Sequence, residues 1–153
     1  MLLIEYNGNA KNNYRVKTFK ADDGSAANVT RFVDEVLADS PYKKSTVNKI
    51  NLAVEEIVVN VSKYAYGNEA GEIEVKVLLN ETCAEITFTD SGKPFNPLNK
   101  EDPDITLSAD DRQIGGLGVF IVKKIMDNVS YSNLNGKNVL KIIKNYDTDK
   151  QEK

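Results

Sequence analysis

The spacing of apolar residues in this chain changes sharply near Gly67, and that change limits the folds open to it. From Val47 through Ile50, Val54, Ile57, Val58 and Val61 the apolar side chains recur every three or four residues, as one face of an α-helix does. Beyond Gly67 they recur every second residue. Ile73, Val75, Val77 and Leu79 alternate with Glu and Lys, and after a turn at 80–82 the alternation resumes with Ala84, Ile86 and Phe88. Helical periodicity followed by two adjacent strands predicts paired antiparallel strands that bury one face beneath a helix.

The flanking segments extend this pattern. Tyr14, Val16 and Phe19 predict a short strand near the start. Ala26, Val29, Phe32, Val33, Val36 and Leu37 predict an amphipathic helix that Asp23 or Ser25 could cap and that ends before Pro41. A second helix starts near Ser45 and runs to Gly67. From 90 to 114 periodicity disappears in an acidic segment punctuated by Pro94, Pro97 and Pro103, predicting a long loop of the kind that forms lids over sites. Gly115-Gly116-Leu117-Gly118 then opens a helix with Val119, Phe120, Val122, Ile125 and Met126 on its apolar face. Strands at 129–134 and 139–143 flank Asn135-Gly136, a dipeptide suited to a tight hairpin turn. The fold expected is α+β: a two-layer α/β sandwich with a mixed, mainly antiparallel sheet and helices over one face. A single domain over 1–153 is expected, with a core at about 12–145 and a charged, frayed tail at 146–153.

Composition removes several kinds of chemistry. The chain has no histidine, so it cannot hold a Ser-His-Asp triad, a Cys-His pair, a His-ligated metal or a phosphohistidine. Its single cysteine, Cys83, falls where a turn enters a strand and reads as an inert thiol. The 20 Lys and Arg against 23 Asp and Glu form no concentrated positive stretch, which argues against nucleic acid as a partner. Apolar runs fall well short of the ~18 residues of a membrane span, and the Met1 start lacks a charged leader region, so a cytoplasmic location without membrane attachment is expected.

Three places could carry chemistry. Glu56 and Asn60 lie one helical turn apart on the flank of the apolar stripe. There a carboxylate could act as a general base and a carboxamide oxygen could ligate magnesium. With Lys49 and Lys63 on the same side, this could equally be a solvated helical face. Asp90-Ser91-Gly92, at a strand end, could present a carboxylate to an exocyclic amine such as adenine's, or could be an ordinary turn. Gly115, Gly116 and Gly118 could admit phosphate to a helix N-terminus, or could form a tight loop-helix junction. They match neither the Walker nor the Rossmann pattern. Each place taken singly has an ordinary explanation, but their order within one architecture joins them.

At these residues the chain resembles the GHKL ATPase superfamily, which takes in gyrase, the heat-shock chaperones, sensor histidine kinases and the mismatch-repair ATPase. Glu56-Ile57-Val58-Val59-Asn60 looks like its N box, Asp90-Ser91-Gly92 like its first glycine box and Gly115-Gly116-Leu117-Gly118 like its second. Ala65-Tyr66 and Gly116-Leu117-Gly118-Val119-Phe120 look most like the bacterial anti-sigma-factor serine kinases, and the resemblance covers about 26–143. It implies ATP and Mg²⁺ as ligands. Glu56 falls on the general base, Asn60 on the magnesium ligand, Asp90 on the adenine site with Gly92 beside it, and Gly115, Gly116, Leu117 and Gly118 on the phosphate loop. Arg112 is a candidate for the γ-phosphate, and Tyr64 stands where the family often has histidine.

The implied activity is transfer of phosphate from Mg-ATP to a serine of an anti-sigma-factor antagonist by a protein that also holds a sigma factor. The family also suggests a homodimer. The alternatives are an ATP-gated partner-switching module without kinase activity, a stand-alone histidine-kinase-type ATPase domain, and an α+β domain without ligand.

Overall fold

The computed structural model describes residues 3–7, 10–67, 69–99 and 116–147. Six strands form one sheet: β1 (Leu3–Asn7), β2 (Ala10–Lys20), β3 (Glu72–Leu79), β4 (Cys83–Asp90), β5 (Asn128–Leu134) and β6 (Lys137–Asn145). Their spatial order is β1-β2-β3-β4-β6-β5, and every neighbouring pair is antiparallel. The sheet expected to be mixed is therefore wholly antiparallel among the described strands. Three helices, α1 (Ser25–Leu37), α2 (Lys44–Asn60) and α3 (Gly116–Ile125), cover one face and complete the two-layer α+β sandwich.

The core lies between these layers. Val29, Phe32, Val33, Val36 and Leu37 of α1 and Ile50, Ala53, Val54, Ile57 and Val58 of α2 meet Ile73, Val75 and Val77 of β3 and Ile86 and Phe88 of β4. Alternation along β4 continues past Phe88, so Asp90 points into the same layer and is only 5% exposed. On β6 the same rule turns Asn138 inward in line with Leu140 and Ile142.

The start of the chain departs from expectation. β2 is eleven residues long and pairs with a strand, β1, that the sequence did not announce. Its weak alternation has a physical source. Arg15 and Lys17 face the helix side of the sheet opposite Val77 and Val75, and their cations lie 5.7 Å and 5.4 Å from the ring centres of Phe32 and Phe19. Long cationic side chains thus cover aromatic surface where a hydrophobic residue was expected.

Capping also differs. Neither Asp23 nor Ser25 caps α1 with its side chain; Gly24 is the capping residue. Asp22 organises the turn, accepting the Gly24 N–H on Oδ1 at 2.9 Å and the Ser25 hydroxyl on its carbonyl at 2.7 Å. The Asn135-Gly136 turn is as expected, with φ of 54° and 80°. The tail expected to fray begins later. Asn145 closes β6, Tyr146 packs on Tyr42 with ring centres 4.9 Å apart, and Asp147 binds the start of α2. Residues 148–153 lie outside the described residues, as does most of the expected lid.

Candidate functional site

The second helix does not continue uniformly to Gly67. After Asn60 the backbone widens into a π-helical turn over Val61–Ala65, and Gly67 ends the run at φ 60°. Such widened turns often mark functional positions because they redirect a helix end. Here the turn brings the Ala65 carbonyl to the loop after β4, where it accepts the Lys93 N–H at 2.7 Å. A Cβ on Gly92 would lie 2.5 Å from that carbonyl oxygen, so only glycine permits this approach. Tyr66 fastens the same junction by donating its hydroxyl to the Glu72 carbonyl at 2.6 Å and accepting the Ser91 N–H at 3.0 Å.

Asp90 therefore sits in a built environment. Its Oδ1 accepts the Gly92 N–H at 2.9 Å and the Asn138 amide at 2.9 Å. The turn and ligand interpretations of Asp90-Ser91-Gly92 are compatible, because one oxygen shapes the turn while Oδ2 takes no hydrogen bond among the described residues. Asn138 is itself fixed. Its Nδ2 also donates to the Lys93 carbonyl at 3.0 Å, and its Oδ1 accepts from the Tyr131 hydroxyl at 2.5 Å and the Phe95 N–H at 3.3 Å.

Asp90 and Asn138 line a cleft together with Asn60, Val61 and Ala65 from the end of α2 and its π turn, and Val119 and Val122 from α3. The cleft is narrow, with about 40 Å³ open to the centres of water-sized spheres and about 540 Å³ of non-atom space once the solvent in its open mouth is counted. Phe95, Leu98, Val129 and Leu140 make the rest of its wall largely apolar, and the Tyr64 ring stacks on Phe95 at 5.1 Å. An apolar slot with a few fixed polar groups at its base suits a flat heterocycle with one exocyclic donor.

The predicted residues are distributed as follows. Asn60 and Asp90 share the cleft. Glu56 stands one turn before Asn60, outside the lining, and its Oε2 abuts Gly118: a Cβ on that glycine would lie 2.4 Å away. Gly116, Leu117 and Gly118 form the first turn of α3. Arg112 and Gly115 lie outside the described residues. Asn60 makes no hydrogen bond among the described residues, so its amide oxygen is available as a hard donor. Among the described residues no three His, Cys, Asp or Glu side chains cluster as a complete metal cage. A cation here would draw most of its ligands from phosphate and water, the arrangement that suits Mg²⁺.

Sequence reasoning missed Asn138, Tyr131, Phe95 and Ala65. One signal was legible: a polar residue at 138 in phase with buried Leu140 and Ile142. The Ala65 contact had none, since it depends on the π turn.

The histidine kinase-like ATPase domain model matches residues 19–144, which spans α1 to β6 and every cleft element just described. The chain belongs to that family. It is 31% identical over 93 residues to the serine-protein kinase RsbW of Listeria monocytogenes, covering 58% of this chain and 59% of that protein. Against the serine-protein kinase RsbW of Oceanobacillus iheyensis it is 28% identical over 105 residues, covering 62% of this chain and 63% of the relative. The chain thus spans about three-fifths of the length of these curated relatives. A crystal structure of the RsbU and RsbW domains of a Mycobacterium tuberculosis protein superposes with a TM-score of 0.60 at 17% identity, covering 86% of this chain and 32% of that one, a likeness of fold. No helix among the described residues is long and apolar enough to cross a membrane.

Proposed function

We propose that this chain is an ATP-binding protein kinase of the anti-sigma-factor type, which transfers phosphate to a serine of an antagonist protein. The observation that carries the proposal is the convergence of the end of α2, the tip of β4 and Val119 and Val122 of α3 on one cleft with a fixed carboxylate at its base. Asp90 Oδ2, an acceptor without a partner among the described residues, suits the exocyclic amine of adenine. The apolar walls would hold the ring. The free N–H groups and dipole at the N-terminus of α3 favour phosphate.

Glu56 then stands between the phosphate end and solvent, where a serine hydroxyl could reach it. In the transfer step the Glu56 carboxylate takes the serine proton, serine Oγ bonds to the γ-phosphorus, and the bond to the bridging oxygen breaks to release ADP. Asn60 would hold Mg²⁺, which supplies charge neutralisation on the triphosphate. A sigma factor as second partner, a homodimer and a cytoplasmic site of action belong to the same proposal.

Two measurements test it. Titration with Mg-ATP should show saturable binding that Asp90→Asn and Asn60→Ala weaken, and absence of binding by the parent chain would overturn the proposal. Incubation with γ-labelled ATP and a candidate antagonist should label serine, and Glu56→Gln should abolish the label while retaining ATP binding. Binding without transfer to any antagonist would instead identify an ATP-gated binding module.

A further inference from the structure

Gly118 has no conformational reason to be glycine. It lies inside the first turn of α3, and among the described glycines only Gly67 and Gly136 have positive φ. Glycine is the poorest helix former after proline, so at this position it lowers the stability of α3. The space that a side chain would take is already filled. A Cβ at 118 would come within 2.4 Å of Glu56 Oε2, 3.3 Å of its Cδ and 3.6 Å of its Cβ.

We infer that Gly118 is a positioning residue for Glu56: the missing side chain at 118 lets the carboxylate rest against the first turn of α3. This rests on the kinase function proposed above. Glu56 has no hydrogen bond or ion pair among the described residues, so packing between α2 and α3 sets the direction of its carboxylate. The obstruction differs in kind from that at Gly92. There a new Cβ meets backbone, which cannot yield, whereas at 118 it meets the end of a flexible side chain. Alanine at 118 therefore leaves the fold intact and moves the base. A displacement of that size at a reacting group lowers the rate of the transfer step.

The test compares the parent chain, Gly118→Ala, Glu56→Asp and the double variant. The proposal expects Gly118→Ala to melt no lower than the parent. Its transfer rate at saturating ATP should fall on the order of 10- to 100-fold. The double variant should be no slower than Gly118→Ala alone, because a base already displaced has no further position to lose. A readout independent of turnover accompanies these rates: the carboxyl carbon resonance of Glu56, assigned by its loss in Glu56→Gln, should shift in Gly118→Ala.

An unmoved Glu56 resonance in Gly118→Ala would overturn the proposal. A large rise in Kd for Mg-ATP with that resonance unchanged would do the same, and would assign Gly118 to ligand approach instead. If the parent transfers phosphate to no acceptor, the kinase function fails, while the resonance still decides whether Gly118 positions Glu56.

Discussion

Asn138 donates its amide to Asp90 at 2.9 Å across the β4–β6 pair, and the two are 4% and 5% exposed. A buried polar group is costly unless hydrogen bonds satisfy it, and this contact both satisfies Asp90 Oδ1 and fixes the side chain. The amide cannot flip without loss. Its oxygen already accepts from Tyr131 and Phe95, which leaves its nitrogen for Asp90 and the Lys93 carbonyl.

Asn138→Leu should therefore destabilise the fold by about 1–3 kcal/mol, the usual cost of leaving buried polar groups unpaired. Asn138→Asp should cost more, because it sets a second carboxylate beside Asp90. Urea unfolding measures the first effect. Mg-ATP titration should show weaker binding by both variants, and unchanged affinity would separate Asn138 from the nucleotide site.

Gly92→Ala should be as harmful as Gly118→Ala is mild. Its Cβ would collide with the Ala65 carbonyl at 2.5 Å and force apart the π turn and the loop after β4, which the Lys93–Ala65 hydrogen bond now joins. Overpacking of this kind costs about 1–3 kcal/mol. Thermal melting of the two alanine variants side by side checks the contrast.

Asp147 caps α2 from more than a hundred residues away. Its carboxylate accepts the Lys43 N–H at 2.9 Å and the Thr46 hydroxyl at 3.1 Å, at a helix start where Lys43 offers no side-chain cap. Asp147→Ala should lower stability by about 1 kcal/mol, as loss of a cap does, and Asp147→Asn by less. Because α2 carries Glu56 and Asn60, hydrogen exchange in the first turn of α2 should rise in Asp147→Ala.

Alkaline pH should unfold the chain through Tyr42 and Tyr146. Burial raises both phenols: Tyr146 from its ordinary 10.0 to about 12, and Tyr42 further. The Tyr42 hydroxyl also donates to the Lys144 carbonyl, a bond that only the neutral phenol can make, while the Ala84 N–H that it accepts at 3.1 Å offsets part of the rise. A group with a raised folded pKa binds its proton more tightly in the folded state. The stability it contributes is complete below about 10, the pKa of an unfolded tyrosine, and is lost as pH rises through the folded value. Stability measured in urea should decline from about pH 10 upward, and Tyr146→Phe should flatten the decline.

Much of the layout was legible because hydrophobic periodicity is a local property. The helical spacing ending at Val61 and the alternation starting at Ile73 depend only on which residues face a common interior, and the Asn135-Gly136 turn depends on two adjacent backbone angles. β1 and the length of β2 were not legible. Pairing extends a strand beyond its own pattern, and aromatic rings under Arg15 and Lys17 disguise the face of β2 that turns inward.

By itself, the sequence determined that two helices precede a pair of strands, that no histidine chemistry is available, and that Glu56, Asn60, Asp90 and a glycine-rich helix start occur in family order. Tertiary structure alone decided that Asn60, Asp90 and α3 share one cleft, that Asn138 holds Asp90, and that Glu56 rests on Gly118. The physical reason is range. A repeat reports how each residue meets the core, whereas these contacts depend on how the π turn at Val61–Ala65 and the β4–β6 register place distant backbones within a few ångströms of each other.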